Sequence, residues 1–314
     1  MNIFILVSLF VFLASCLVIP PFSHAQDDLE VTPIAAWLFD EGFGKLNQVA
    51  AGVVEDRTGN GHDGRIVGDV KWRRGRFGMA LEFLSDDEDW GHVQVPHHDD
   101  LSLQSFTITA WIKVAKLIGP QKKVKTDAEP AQMIVDKEVL LIAPNKVAAV
   151  KNRNYSMWIR ADGSPGSFAC GFWNAFPEKN PLETERTKKV TDDEWHFVAC
   201  AFDGNTLSAF VDGNELSKIE NKKIQGITPK LHKVKAPLYI GAQQQPQPLV
   251  GEHVFEKGIQ GVGGVVDEVA LYNVGLAPET LKSIMELGLA GKYGYRPVDP
   301  RGKLATTWAQ LKAE

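Results

Sequence analysis

The sequence predicts an all-β protein, a β-sandwich with one short helix near the C-terminal end. About a dozen short apolar or alternating segments are separated by turn residues at intervals of about 8–12 residues, a spacing typical of sandwiches. Strands and helices do not alternate along the chain, which argues against a doubly wound parallel sheet. The chain has 314 residues, of which 44% are hydrophobic and 23% charged, so it can bury a sizeable core.

The N-terminal part of this fold begins with a strand and a glycine-rich loop. Residues 34–39 are an aromatic and β-branched run that predicts a strand. Residues 56–64 hold three glycines, one asparagine and two aspartates, a composition that favours a tight loop over a helix or a central strand. Either the glycines form turns that polar side chains cap, or backbone carbonyls and the carboxylates of Asp56 or Asp63 hold a hard cation such as Ca²⁺.

The middle of the chain contains the clearest strand and the least regular segment. In residues 105–114, Phe106, Ile108, Ala110 and Ile112 fall on one face, and Thr107, Thr109, Trp111 and Lys113 on the other. Residues 116–150 have no sustained period, so we predict a long insertion in which only residues 132–136 form a strand.

The C-terminal half returns to strands and ends in a helix. Strands are predicted at residues 155–161, 167–173, 195–203, 207–212, 237–242 and 265–273. Pro278 suits the first turn of a helix, and Leu281, Ile284 and Met285 begin an apolar stripe that ends at Gly288 or Gly291. Residues 291–314 are predicted to form a C-terminal tail.

The first 25 residues are separate from the predicted fold. Residues 3–19 are nearly continuous apolar sequence, and Ser23-His24-Ala25 has the small-x-small form of a signal peptidase site, which predicts a mature chain that starts at Gln26. A bacterial lipobox at residues 13–16, which would lipidate Cys16, is the alternative. We favour cleavage because apolar residues continue after Cys16. Residues 26–33 are predicted as a linker, and the mature protein as secreted, periplasmic or at the cell surface.

Two cysteines, Cys170 and Cys200, remain after signal cleavage. An even pair can form a disulfide in an oxidising compartment. Each lies in an apolar predicted strand, so two buried thiols are the alternative. The bond requires the two strands to be neighbours in matching register.

Charge and motifs argue against several classes of function. The net charge is -5 and the basic residues are interspersed with polar ones, so nothing favours nucleic acid. We recognise neither a strand with the paired carboxylates of a glucanase nor a nucleophile–histidine arrangement, and therefore predict no enzyme. His97-His98 before Asp99-Asp100 is interpreted as an exposed turn in preference to a surface metal site.

Seven short motifs follow one another along the chain. They occupy residues 36–42, 56–64, 78–83, 106–112, 195–204, 211–213 and 266–279. In this order they resemble the motifs of laminin G-like jelly-roll domains of the concanavalin A-like lectin/glucanase superfamily. The resemblance covers about residues 34–290.

The resemblance implies a jelly roll, two antiparallel sheets packed face to face with the first and last strands side by side. It also implies a structural Ca²⁺ near the residue 56–64 loop. The candidate ligands are the carboxylates of Asp56, Asp267 and Asp40, oxygens around Asn60, and the carbonyl of His62, because imidazole is a poor ligand for Ca²⁺.

Three hypotheses for function follow from the sequence. The first is a secreted, non-catalytic module that binds carbohydrate, with Trp173 stacking on a sugar ring and Asn174 beside it. The second is an extracellular domain that recognises protein, which no sequence feature separates from the first. The third, a glycoside hydrolase or lyase, is the least favoured.

Overall fold

The structure is a computed structural model that describes residues 31–84, 90–117, 131–142, 149–160, 165–176, 181–185, 187–222, 228, 230–244, 247–248 and 258–295. The chain divides into two compact units, Met1–Val31 and Thr32–Glu314, and the fold described below belongs to the second. The predicted signal peptide, Cys16 and residues 296–314 of the predicted tail lie outside the described residues.

Twenty strands and one α-helix make up the described part. The strands are β1 Ala35–Trp37, β2 Val53–Val54, β3 Gly64–Val67, β4 Val70–Arg74, β5 Met79–Phe83, β6 His92–Val95, β7 Phe106–Lys113, β8 Ala131–Ile142, β9 Ala149–Arg160, β10 Phe168–Phe176, β11 Pro181–Glu183, β12 Trp195–Phe202, β13 Thr206–Val211, β14 Asn214–Glu220, β15 Lys230–Leu231, β16 Leu238–Ile240, β17 Gln243–Gln244, β18 Gln247–Pro248, β19 Gly258–Ile259 and β20 Val265–Tyr272. The helix, α1, is Pro278–Tyr293, and two single-turn 3-10 helices occupy Asp40–Gly42 and Asp99–Leu101.

The strands form two large sheets, as the sandwich prediction requires. The first sheet has the order β14-β13-β12-β7-β20-β5-β4, with β1 paired to β20. The second sheet has the order β11-β10-β9-β8-β16-β6-β3-β2, with β15 on β10 and β18 on β8. The pairs along both orders are antiparallel, and β18 is parallel to β8. The first and last strands of the fold therefore lie side by side, which confirms that part of the jelly-roll expectation.

The hydrophobic core lies between the sheets, and a second apolar layer covers the outside of the first sheet. In β7, Phe106, Ile108, Ala110 and Ile112 belong to the core, whereas Trp111 belongs to a cluster with Leu281, Ile284 and Leu289 of α1. The alternation predicted for this strand is confirmed. Because α1 covers the outer face, β7, β12 and β20 are almost wholly buried.

A disulfide joins the two sheets through the core. Cys170 on β10 and Cys200 on β12 are bonded, with their Cα atoms 6.1 Å apart. Both side chains are fully buried and point inward from strands of opposite sheets. The predicted bond is confirmed, but the two strands face each other across the core and are not neighbours in one sheet.

Part of the predicted insertion is regular sheet: residues 131–142 and 149–150 lie in strands, and residues 118–130 and 143–148 lie outside the described residues. Strand β8 fills Ala131–Ile142 and pairs along its length with β9, which begins at Ala149. The pair lies inside the second sheet. The sequence hides this because Asp136-Lys137-Glu138 interrupts the apolar run, and all three side chains are buried in the structure. The tertiary contacts of these charged side chains allow the segment to form a buried strand, and such contacts cannot be predicted from the periodicity of the sequence.

Helix α1 begins as predicted and extends beyond the predicted domain limit. Pro278 occupies its first turn, but the helix continues to Tyr293 through a break at Gly288, whose φ is 68°. Such a φ favours glycine. A Cβ at this position would lie 2.9 Å from Glu268 Oε2, so Gly288 also makes room for that carboxylate.

Candidate functional site

The Asp56 loop, residues 56–64, is organised around one buried carboxylate. Asp56 Oδ1 accepts hydrogen bonds from the backbone N–H of Ala36 at 3.0 Å and of Thr58 at 3.1 Å. Asp56 Oδ2 accepts one from the N–H of His62 at 3.1 Å, and the Thr58 hydroxyl donates to the same carboxylate at 2.8–2.9 Å. Four donors thus surround Asp56, which satisfies a buried carboxylate without a metal ion.

The other predicted ligands in this loop also bind the protein itself. Asn60 donates its side-chain N–H to the carbonyl of Ile34 at 2.9 Å, and the His62 carbonyl accepts the indole N–H of Trp37 at 2.8 Å. The backbone of Arg57 donates to the carbonyl of Ala36 at 2.8 Å. The loop therefore covers the edge of β1 that does not pair with β20, as a further strand would.

Asp40 and Asp267, the remaining predicted calcium ligands, lie at a different turn. The N–H of Phe77 donates to Asp267 Oδ2 at 3.0 Å, and the N–H of Met79 donates to Asp40 Oδ1 at 2.9 Å. Glu268 joins them from the side of α1, where its Oε2 accepts the N–H of Leu289 at 2.9 Å. We call Asp40, Asp267 and Glu268 the carboxylate cluster. The structure thus divides the five predicted ligands into two groups with separate contacts.

The carboxylate cluster is buried and short of positive charge. Its three members are 6%, 0% and 3% exposed. Asp267 Oδ1 is buried and has no hydrogen-bond partner among the described residues. Among the described residues, no Lys, Arg or His side chain forms an ion pair with Asp40, Asp267 or Glu268.

Burial therefore raises the pKa of each carboxyl group in the cluster. For Asp267, burial is the main cause and the charge of Glu268 the next, and together they raise its pKa well above the usual value. Burial, with a smaller contribution from Asp40, raises the pKa of Glu268 to about 7. Burial also raises the pKa of Asp40, and the hydrogen bond from the N–H of Met79 and, less, the charge of Arg57 offset this only in part. Desolvated carboxylates of this kind bind a proton or a cation.

The sequence did not indicate Glu268 as a candidate ligand, because the alternation of a regular strand places it on the opposite face from Asp267. The structure breaks that alternation. The register between β20 and β7 shifts between Asp267 and Ala270, and Glu268 has a φ of 46°. A bulge of this kind redirects side chains. The sequence contained the residue in its 266–279 motif, but no local signal for the bulge.

A third group of polar residues lies on the outward face of the second sheet. Because Cys170 and Phe172 of β10 point into the core, Gly171 and Trp173 point outward. Gly171 pairs with Ser156 of β9 and with Glu183 of β11. Trp173 is half-buried, and the side chain of Asn174 lies outside the described residues. We call Trp173, Glu183, Arg153, Arg160, Trp158 and Glu138 the Trp173 face.

Two arginines hold the Trp173 face together. Arg153 Nε is 2.8 Å from Glu138 Oε2, and its Nη1 is 3.1 Å from Glu183 Oε1. Arg160 lies 3.6 Å from the other oxygen of Glu183. The guanidinium carbons of Arg153 and Arg160 lie 5.0 and 5.7 Å from the ring centre of Trp158, which is buried. Trp158 thus supports the face, and Trp173 is half-buried on it.

A groove of about 480 Å³ lies on the other sheet. Its lining includes Arg73, Glu82, Lys113, Asp193 and Trp195. Arg73 pairs with Glu82 at 2.5 Å, and Lys113 with Asp193 at 3.6 Å. The groove is the alternative place for a small ligand on the described surface.

The two-sheet sandwich and its partly exposed aromatic face define the class of protein as a lectin-like jelly roll. The sequence model of the laminin G type, described as the concanavalin A-like lectin/glucanases superfamily, matches residues 87–282. The chain belongs to this family. No curated protein sequence matches the chain.

Solved structures that are similar to this chain have low sequence identity to it. Domain 4 of AbnA, a GH43 extracellular arabinanase from Geobacillus stearothermophilus, determined in complex with arabinotriose, is 14% identical, with a TM-score of 0.50 and coverage of 81% of this chain and 98% of that domain. The binding domain of Paraclostridial Mosquitocidal Protein 1 is 13% identical, with a TM-score of 0.47 and coverage of 77% and 53%. The binding domain of Botulinum Neurotoxin DC in complex with SialylT is 12% identical, with a TM-score of 0.47 and coverage of 81% and 51%. This chain spans about half the length of the two toxin domains.

Among the described residues, no helix combines the length and the apolar composition that crossing a bilayer requires.

Proposed function

We propose that this protein is a secreted, non-catalytic module that binds carbohydrate on the Trp173 face. The observation that carries the proposal is the position of Trp173, half-buried on the outward side of β10, on the same face as the Arg153–Glu183–Arg160 ion pairs. An exposed indole stacks on a pyranose or furanose ring, and flanking charged groups hydrogen-bond to sugar hydroxyls. The family and the architecture support a binding module, and the arabinotriose complex of the similar arabinanase domain is a precedent for a glycan on this fold.

A glycan array followed by titration of the strongest hit tests the proposal. We expect Trp173→Ala to weaken binding roughly tenfold or more, because the stacking contribution is lost. The matched control is Trp195→Ala, which removes another half-buried tryptophan, in the groove of the first sheet. This variant should bind the glycan like the wild type. A blank array, or binding that depends on Trp195 and not on Trp173, would overturn this assignment.

Catalysis is the less favoured function, although the outward side of β8 carries alternating carboxylates. Asp136 and Glu138 are 0% and 1% exposed. Glu138 is bound by Arg153 and, at 3.3 Å, by the amide of Gln243. A glycosidase needs one carboxyl group free to donate a proton and a second one open to substrate or water. A buried, arginine-paired Glu138 beside a buried Asp136 that accepts a hydrogen bond from the Ser156 hydroxyl suits a structural role better than that chemistry.

Recognition of a protein is the remaining alternative for the same face. Ion pairs and a tryptophan also occur at protein interfaces, where Trp and Arg are enriched. A blank glycan array together with a protein partner that is lost in Trp173→Ala would favour this alternative.

We further propose that the carboxylate cluster holds a structural Ca²⁺. The support for this proposal is the shared burial of the three carboxylates and the unpartnered Asp267 Oδ1. Their oxygens do not all lie within 4.8 Å of one another, so the ion would have to draw them together and complete its set of about 6–8 oxygen ligands with backbone carbonyls or waters. The proposed ligands are Asp40, Asp267 and Glu268. Asp56, Asn60 and His62 are left out because their polar atoms already bind the protein.

Secretion by signal cleavage remains part of the proposal, and the inter-sheet disulfide supports an oxidising compartment. N-terminal sequencing of protein recovered from a secreting host should give Gln26. A lipid-modified N-terminus at Cys16 would show that the chain is anchored instead.

A further inference from the structure

A second, chemically different group of ligand atoms lies where the Asp56 loop meets the turn before β7. One ligand atom from each of His62, His98 and Asp100 lies within 4.8 Å of the others. His62 Nε2 is 3.1 Å from Asp100 Oδ2, His98 Nδ1 is 2.5 Å from Asp100 Oδ1, and the imidazole centres are 5.2 Å apart. We propose that these three side chains bind a divalent transition metal ion of the Zn²⁺ type.

His62 is held in place before any metal ion binds. Its side chain is only 2% exposed. Its N–H donates to Asp56 Oδ2 and its carbonyl accepts the buried indole N–H of Trp37. These bonds fix the backbone at His62 and burial confines its imidazole, and a pre-positioned ligand loses little entropy when it binds.

The donor atoms of His62, His98 and Asp100 favour a transition metal ion. Two imidazole nitrogens and one carboxylate oxygen suit Zn²⁺, Co²⁺ or Ni²⁺ and not Ca²⁺, which prefers oxygen ligands alone. The set is thus distinct from the carboxylate cluster. The side chains of His98 and Asp100 are 63% and 48% exposed, so one side of the ion would face solvent. Three protein ligands with a water in the fourth position form a common open zinc site.

His97, the neighbour of His98 in the sequence, does not belong to this group. His97 Nδ1 lies 3.5 Å from the ammonium of the buried Lys137, and its Nε2 lies 3.4 Å from Asp99 Oδ1. His97 is therefore engaged elsewhere, although it is adjacent to His98. This makes His97→Ala a matched control, since it removes an imidazole from the same turn but none from the proposed site.

The test is calorimetric titration of the tag-free, EDTA-treated protein with Zn²⁺, and visible absorption of the Co²⁺ form. We expect one equivalent to bind. His98→Ala and Asp100→Ala should each weaken binding roughly tenfold or more, as loss of a metal contact does. Both residues are exposed, so circular dichroism should show an intact fold.

Three outcomes would overturn the proposal. They are the absence of saturable binding of one equivalent, unchanged affinity in His98→Ala and Asp100→Ala, and an equal loss of affinity in His97→Ala. An excess of Ca²⁺ should leave Zn²⁺ bound, so the result does not depend on whether the carboxylate cluster holds calcium.

Discussion

Asp56 and Asp267 are both buried aspartates at the β1–β20 pair, yet their carboxylates differ in the number of hydrogen bonds that they receive. Asp56, which is 7% exposed, receives four hydrogen bonds from nearby N–H and O–H groups. Asp267, which is fully buried, receives one from Phe77 and keeps an oxygen without a partner in the described structure, next to two other carboxylates. The comparison shows that burial alone does not define an ion site. The number of donors around each oxygen does, because a desolvated charge must be compensated.

The largest expected effect comes from Asp56→Ala. The change leaves buried N–H groups of Ala36 and His62 without acceptors, so the free energy of unfolding should fall by about 3–5 kcal/mol. Denaturant unfolding with and without Ca²⁺ measures this. Asp63→Ala is the control, because exposed Asp63 accepts a single bond, from the N–H of Asp56, and should cost about 1 kcal/mol. If Ca²⁺ stabilises the wild type but no longer stabilises Asp56→Ala, then Asp56 belongs to the ion site after all.

The next largest effect is the pH dependence that Glu268 gives to the free energy of unfolding of the metal-free protein. Its pKa is raised in the fold, so its protonated form favours folding. That stabilisation is complete below the ordinary pKa of about 4.5 and is lost as the pH rises through about 7. The loss is on the order of 3 kcal/mol. Unfolding in EDTA at pH 4.5–8 should show it, and the slope should be smaller in Glu268→Gln. Equal slopes in the two proteins would contradict the environment assigned to Glu268.

Binding of Ca²⁺ at Asp267 should raise the free energy of unfolding by an amount similar to, or smaller than, the effect of Glu268. At about 100 times its dissociation constant, a bound ion adds about 2.7 kcal/mol to the free energy of unfolding. Asp267→Asn keeps the shape of the side chain but lowers its charge, so the melting temperature in EDTA should not fall and the increase with Ca²⁺ should disappear. An unchanged calcium response in Asp267→Asn would place the ion elsewhere or exclude it.

The smallest effect is expected from Thr58→Val. The hydroxyl is one of four donors to Asp56, and the remaining three still compensate the carboxylate. We expect a loss of about 1 kcal/mol in the free energy of unfolding. A loss as large as that of Asp56→Ala would mean that the hydroxyl has a larger role than its share of the hydrogen bonds.

Much of the fold was readable from the sequence, and less of the sites. Residues 106–113 show their two faces by alternation, and Pro278 marks the start of α1. The strand at Ala131–Ile142 was missed beyond its first residues, because buried Asp136, Lys137 and Glu138 resemble a solvated segment in the sequence. Buried charge depends on partners that are distant in the chain. Arg153, which pairs with Glu138, lies 15 residues away.

The sequence by itself determined the sandwich and the family, because turn residues, alternation and motif order are local properties. Tertiary structure alone decided how those residues are grouped. It gave Asp56 its donors from β1, placed Glu268 beside Asp267 through a bulge, and brought His62 to His98 and Asp100 across more than thirty residues of chain. Ligand sets are defined by distances in space, and spacing along the chain reports those distances only where both residues lie on one regular element.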